Sequence, residues 1–413
     1  MYLSVVCCML ALSFYSCKGP GKLAYRNLAD IYKQEAQLKG LEFSVFNLND
    51  SVSNLYIRFP LSSLKRMPDL NKENLTGAVH FKLTYQLFDG YEQGVMVDSA
   101  SFSGLDSLLV LPVFFDSIAL NARQGKDYIL DLQITDLNAK RDFHQLVTLP
   151  KAKMGTAADI LICDVNGLPL MRNFINRADL IRLRYRDGFT HHFQLLRVIS
   201  DELKAASPPF AFGLADNKMA IDSVKININN NNRSYTDVLT FQQQGIYLDS
   251  ENQVQGIKLY SFYDGFPKIS KESVMVESLR YIASDAEYRN MQKLNPRVAI
   301  DEFWRSVTGD SERSVVQLKR YYGRVEEANR AFTISREGWK SDRGMIYIVF
   351  GSPYVVYRNS EVEEWTYGEP GNASSVRFVF KLQNSSNGIQ DYFLLRSEDF
   401  RMPWHLAVSN WRR

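Results

Sequence analysis

The chain has 413 residues, of which 45% are apolar, 13% aromatic and 23% charged, and its 49 Lys plus Arg against 46 Asp plus Glu leave a net charge of +3. That length suits roughly two to four domains, and the nearly balanced charge excludes the basic footprint of a nucleic-acid-binding protein. The four cysteines, Cys7, Cys8, Cys17 and Cys163, exclude a disulfide framework, because two lie in an apolar N-terminal run and Cys163 sits alone in the strand-like run Ile160 to Val165, where it reads as a small buried hydrophobe.

The run from Leu3 to Ser16 is almost wholly apolar. At about 14 residues it is too short to cross a bilayer as a helix and suits the core of a signal peptide, here residues 1–16. Ser16-Cys17 resembles the bacterial lipobox, in which the cysteine is acylated and becomes the mature N-terminus. Phe14 stands where Leu is commoner, and no Lys or Arg precedes the run. Residues 17–40 read as a tether and a short helix. Lys18-Gly19-Pro20-Gly21-Lys22 is flexible and basic. Leu28, Ile31, Tyr32 and Ala36 then share one helical face as far as Gly40. In some Gram-negative lipoproteins an acidic run after the cysteine marks export to the cell surface; the resemblance to a lipobox and the basic run here favour the periplasmic face of an outer membrane, with surface exposure as the alternative.

Residues 41–153 alternate with period two. Leu41 to Phe46, Leu55 to Phe59, Val79 to Tyr85, Leu108 to Phe115, Tyr128 to Ile134 and Phe143 to Leu149 predict an antiparallel β-sandwich, with Asp89-Gly90 as a turn. Pro150 to Ala158 reads as a linker. A second sandwich is expected over 159–268, with strands at Ile160 to Val165, Leu180 to Tyr185, Phe193 to Ile199, Val224 to Ile228, Leu239 to Phe241, Gly245 to Leu248 and Gly256 to Phe262. Asn227 to Asn232 forms a polar loop. From Ser270 the pattern becomes helical: Ser273 to Met291, Pro296 to Val307 and Ser311 to Phe332. Four short strands follow at Met345 to Phe350, Glu363 to Tyr367, Val376 to Lys381 and Tyr392 to Arg396, and a Trp-rich tail runs from Met402 to Trp411. The fold class is therefore two antiparallel β-sandwich domains followed by an α+β domain over 269–413, with a helical lead-in and a small antiparallel sheet.

The turn Gly338-Trp339-Lys340-Ser341-Asp342-Arg343-Gly344, followed by Met345 to Phe350 and Gly351-Ser352-Pro353, resembles the signature of the GWxTD domain. Leu279 to Ala283, Glu287, Phe303-Trp304, Tyr321-Tyr322, Arg324-Val325, Ala328-Asn329, Phe332, Ile346 to Ile348 and Glu364-Trp365-Tyr367 extend the resemblance. Ser341 replaces the usual Thr, and Ser352 a frequent Pro. The resemblance brings no established reaction with it, so no catalytic residue is carried over. It marks Gly338, Trp339, Ser341, Asp342, Arg343, Gly344, Tyr347, Gly351, Pro353 and Trp365 as structural or partner-binding positions. Physically, Trp339 can bury its ring while its N–H finds an acceptor. Ser341 and Asp342 can cap amides, Arg343 can bridge Asp342 or another carboxylate, and Gly338 and Gly344 permit positive φ or close approach of another backbone.

The search for chemistry is short. His80, His144, His191, His192 and His405 show no metal-binding spacing, no cysteine pair has zinc spacing, and neither a phosphate-cradling glycine loop nor a nucleophile-elbow turn is present. No cofactor or metal is expected. The basic residues Arg313, Lys319, Arg320, Arg324 and Arg330 alternate with acids along one predicted helix and read as a solvated face. Glu361, Glu363 and Glu364 beside Trp365 could serve a glycosidase only as facing acids at a defined separation, and read more simply as a solvated edge with one charge paired to Arg343 or Arg358.

The expected function is that of a non-enzymatic envelope lipoprotein, anchored in the membrane through Cys17. The two sandwiches would space the C-terminal domain from the membrane. That domain, its Trp-bearing tail or the sandwich edges would engage an envelope protein partner in assembly, transport or secretion. The alternative is a protein that binds or hydrolyses peptidoglycan or another glycan. On the preferred reading the turn around Trp339 is scaffolding with no bond-making centre inside it, and a deep, wet cavity lined by converging ionisable side chains near that indole would contradict it.

Overall fold

The structure, a computed structural model, describes residues 23–67, 77–106, 112–189, 193–199, 204–212, 221–228, 234–372, 374–384 and 389–412. The apolar N-terminus, Cys17, the basic tether, His191, His192 and most of the Asn-rich loop lie outside the described residues.

The first unit contains β1 (Glu42–Asn47), β2 (Val52–Pro60), β3 (Val79–Phe88), the single turn α1 (Gly90–Gln93), β4 (Met96–Asp106), β5 (Val113–Asn121), β6 (Tyr128–Asp136) and β7 (Arg141–Leu149). They form two antiparallel sheets, ordered β1-β2-β5 and β4-β3-β6-β7. The alternation that predicted β3 is kept in three dimensions: Val79, Phe81, Leu83 and Tyr85 are buried while His80 and Lys82 are exposed. Leu55, Ile57 and Phe59 of one sheet and Leu83, Leu130 and Leu132 of the other share one core. Each such side chain contributes about 1.5–3 kcal/mol by leaving water. Phe59, Phe81 and Phe114 pack together there with ring centroids 4.9–5.3 Å apart.

The second unit contains β8 (Ile160–Cys163), β9 (Arg182–Tyr185), β10 (Phe193–Val198), β11 (Ile221–Ile228), β12 (Gly245–Asp249) and β13 (Lys258–Ser261). The pair β8-β9 faces a sheet ordered β11-β10-β12-β13, across a core that includes Leu183, Leu195, Tyr247 and Leu259. Leu239, expected in a strand, instead makes an isolated bridge to Ile181. Cys163 is a buried free thiol, as its apolar run implied.

The expected linker between the units is a locked joint. Asp159 accepts hydrogen bonds from Asn47 at 2.9 Å, from Arg186 at 3.1 Å and from the Thr156 amide at 2.9 Å. Lys151, fully buried, donates to Ser53 Oγ at 2.9 Å and to the Val52 carbonyl at 3.1 Å. Composition alone cannot show that these polar residues have partners on both sides.

The C-terminal unit has helices α2 (Glu272–Ser278), α3 (Asp285–Met291), α4 (Pro296–Thr308) and α5 (Ser311–Phe332), then α6 (Asp342–Phe350), and ends with α7 (Arg401–Trp411). Its antiparallel sheet runs β14-β15-β16-β17, from β14 (Val355–Arg358) through β15 (Val362–Tyr367) and β16 (Val376–Asn384) to β17 (Gln390–Leu394). Two expectations fail here. Met345 to Phe350 is helix, not strand: Ser341 caps it by accepting the Gly344 N–H at 3.0 Å, and Asp342 stands in its first turn. Every residue from Asp342 to Val349 is buried, so the helix has no polar face to reveal its period. The Trp-rich tail is also helical, and Trp404 and Trp411 are buried at 4% and 3% exposure, which removes them as partner anchors.

Leu23 to Leu38 is not a helical stalk. It forms three 3₁₀ turns, Leu23–Tyr25, Ala29–Tyr32 and Gln34–Ala36, laid across the other units as a strap. Leu23 packs on Phe88 and Ile129 of the first sandwich. Leu28, Ala29 and Tyr32 join the C-terminal core. The Leu28 amide donates to the Val356 carbonyl at 2.8 Å, and Asn27 Oδ1 accepts from the Val356 amide at 3.0 Å. The strap thereby covers the otherwise open edge of β14, a usual protection for edge strands.

Candidate functional site

The signature turn is a 3₁₀ turn, Gly338–Lys340, wedged between α5 and α6. Two glycines make this possible. A Cβ on Gly338 would lie 1.9 Å from the Ala328 carbonyl oxygen, and one on Gly344 would lie 1.9 Å from the Gly338 oxygen. Trp339 is 1% exposed, its amide donates to Asn329 Oδ1 at 3.1 Å, and its carbonyl accepts from Tyr281 Oη at 2.9 Å. The Lys340 ammonium lies 5.3 Å from the centre of its ring. The expected acceptor for the indole N–H is missing: Trp339 Nε1 is buried without a hydrogen-bond partner.

Beyond Trp339 the motif's polar groups are spent on internal bonds. Ser341 Oγ donates to the Gly338 carbonyl at 2.7 Å while it caps α6. Asp342 accepts from Arg396 at 2.5 Å and from the Leu394 amide at 2.9 Å, tying the turn to β17. Burial pushes the Asp342 carboxyl up, and the Arg396 charge offsets only part of that rise. Arg396 also donates to the carbonyls of Ser207 and Pro208, both at 2.8 Å, drawing the 204–212 segment onto the motif. Tyr347 Oη lies 2.6 Å from Glu327 and 3.1 Å from the Tyr32 carbonyl. Gly351 ends α6 and its carbonyl accepts from Tyr367 Oη at 2.8 Å, and Pro353 is buried beside it.

Arg343 does not bridge Asp342. It pairs with Glu363 on β15 at 3.1 Å, its guanidinium 4.1 Å from the Tyr392 ring centre and 5.1 Å from that of Phe332. Glu363 is not a solvated edge residue either; it is fully buried. It accepts from Arg358 at 2.9 Å, from Trp365 Nε1 at 2.8 Å and from Tyr32 Oη at 2.5 Å. Burial alone would raise its carboxyl, but the charges of Arg358 and Arg343 and the Tyr32 hydrogen bond outweigh that and hold it at about 2. Tyr32 is moved the other way, well above the usual phenol range, chiefly by burial.

Glu363 and Trp365 share a strand face, as their i,i+2 spacing implied. Glu364 points to the opposite face and pairs with Arg377 at 2.5 Å, and Glu361 is exposed. Glu363 and Glu364 therefore cannot flank one glycosidic bond as acid and base. The member that sequence reasoning missed is Tyr32, which reaches Glu363 from 331 positions away. No local pattern signals such a pairing.

A cleft of ≈ 380 Å³ opens against Trp339 and Lys340, between the second sandwich and α2 and α3, and none of the Glu363 cluster lines it. Its charged residues are Lys204, Lys271, Glu277, Arg280, Glu337 and Lys340. The motif thus divides. Ser341, Asp342 and Arg343 turn inward as scaffold, whereas Trp339 and Lys340 border a charged cleft of the kind that contradicts a purely scaffolding role, so the scaffold reading holds for the first three and not for Trp339 and Lys340. Among the described residues no group of three or more His, Cys, Asp or Glu is placed to hold a metal ion, and no helix is long and apolar enough to cross a membrane.

Residues 245–413 match the family model of the GWxTD domain. The match begins at Gly245 in β12, earlier than the boundary at residue 269 expected from composition. No curated protein matches the chain. Among solved structures, a beta-glucuronidase of Bacteroides uniformis is 12% identical over 33% of this chain and 16% of its own, at a TM-score of 0.20. Red sea bream transglutaminase is 7% identical over 55% of this chain and 32% of its own, at 0.19. A putative beta-galactosidase from Bacteroides fragilis is 10% identical over 33% of this chain and 20% of its own, at 0.18. The chain spans about a third or less of each of these structures, and likenesses at such TM-scores carry no argument about it.

Proposed function

We propose that the chain, whose residues 245–413 match the GWxTD domain, acts as a non-enzymatic envelope lipoprotein, anchored through Cys17 on the periplasmic side of an outer membrane, whose GWxTD domain engages an envelope protein partner. The observation that carries this reading is the strap. Leu23 follows Cys17 by six residues, a reach of about 20 Å even fully extended. Nine residues further on, Tyr32 is plugged into the buried charge cluster of the GWxTD domain. A lipid on Cys17 would therefore hold the GWxTD domain close to the bilayer instead of two sandwich lengths away. The internal use of Ser341, Asp342, Arg343 and Glu363 supports a rigid docking body, since buried groups bonded to one another fix a shape at the cost of reactivity.

Two experiments test the two halves of the proposal. Cys17→Ala should release the protein from the membrane fraction, and equal membrane retention refutes the anchor. Purification of the full chain from detergent-solubilised envelopes should bring down a stoichiometric membrane protein. A chain that purifies alone, and turns over cell-wall polymer, refutes the scaffold.

A further inference from the structure

The cleft beside Trp339 gathers charge that the fold leaves uncompensated. Its walls come from Lys204, Gln244 and Tyr263 on one side and from α2, α3 and the Glu337–Lys340 turn on the other. Glu337 and Lys340 neutralise each other at 2.5 Å, both largely buried. The remaining charged lining residues are three cations, Lys204, Lys271 and Arg280, against the single carboxylate of Glu277, a surplus of two positive charges. None of the three cations forms an ion pair among the described residues, although carboxylates are nearly as numerous as cations in the chain. Arg280 is held on the wall, its guanidinium 5.5 Å from the centre of the Tyr288 ring. The volume of ≈ 380 Å³ falls within the range of small-molecule sites, and a concave surface of one sign concentrates counter-ions.

We propose that this cleft binds a compact anionic ligand bearing a carboxylate or phosphate group. Arg280 supplies the planar fork that matches such an anion, and Lys271 and Lys204 supply flanking charge. Gln244 and Gln292 line the rest of the cleft. Trp339 forms part of the lining, so occupancy reads out in its emission. This inference stands apart from the lipoprotein reading and holds whether or not Cys17 is acylated.

The test titrates the full chain with inorganic phosphate and, separately, with D-glucuronate, following tryptophan fluorescence, with D-glucose as the neutral twin of glucuronate. Saturable binding of either anion, without a response to glucose, is expected. The response that saturates first assigns phosphate or carboxylate. Arg280→Gln should weaken it about tenfold or more, the usual scale for losing a charge-assisted pair. Glu277→Gln should tighten it by removing the only opposing charge. Both residues are exposed, so unchanged melting temperatures verify that the variants are folded. Three results each overturn the proposal: no saturation by either anion up to about 10 mM, beyond the ~1 mM scale of weak sites; a glucose response equal to that of glucuronate; or an Arg280→Gln affinity within about twofold of the parent.

Discussion

Replacing Glu363 by Gln is the sharpest perturbation of the buried cluster. The side chain keeps its size and one carbonyl acceptor but loses the charge that balances Arg343 and Arg358, whose side chains are only 5% and 15% exposed. Removing one partner of a buried ion pair costs about 3–5 kcal/mol, because the surviving charge stays out of water. Here two guanidinium groups are stranded, partly relieved by the aromatic rings around Arg343, so a loss of about 3–4 kcal/mol is expected. The same figure follows from linkage. The Glu363 carboxyl is lowered from 4.5 to about 2, which corresponds to about 3 kcal/mol of stability at neutral pH. Because the folded-state value is depressed, that stability is fully present above pH 4.5 and is lost as pH falls toward 2. Urea unfolding of the full chain, followed by tryptophan emission, measures the loss, with Glu364→Gln as control. Glu364 pairs with an Arg377 side chain that is 61% exposed, so its replacement should cost no more than about 0.5 kcal/mol. The parent and Glu363→Gln curves should converge as the pH is lowered. A Glu363→Gln deficit under about 1 kcal/mol at pH 7, or one that persists unchanged at the acid end, refutes the reasoning.

Two further outcomes follow from the motif. Gly338→Ala places a methyl group 1.9 Å from the Ala328 carbonyl oxygen, against the Ala328–Asn329 backbone; it should destabilise the C-terminal unit by about 3 kcal/mol or more, read as an early transition in calorimetry. Ser341→Ala removes both the cap of α6 and a buried bond to the Gly338 carbonyl, for a loss of about 1–2 kcal/mol in the same assay.

The parts of the fold that were legible in the sequence are those with a solvated face. Strand β3 alternates because one side meets the core, and α4 and α5 carry an apolar stripe because the other side meets water. Helix α6 was misread as a strand because burial on all sides erases its period; the cap at Ser341 was the better signal, since it marks a helix start whatever follows. The joint around Asp159 and the Tyr32–Glu363 contact were illegible for a different reason. Each pairs polar residues that lie far apart along the chain, and no local window contains both partners. For the same cause Glu363 read as a surface acid: a pairing with Arg343 or Arg358 was visible, but the strap that buries it was not.

Hydrogen–deuterium exchange on the full chain carrying Tyr32→Ala tests most directly whether the N-terminal strap is built into the GWxTD domain. Loss of the plug should raise exchange in β14 and β15, Val355–Arg358 and Val362–Tyr367, where the strap covers the sheet edge and Tyr32 meets Glu363, while β2 of the first sandwich keeps its protection. Unchanged exchange across Val355–Tyr367 would contradict the account, because the strap would then be a passenger on a domain that stands without it.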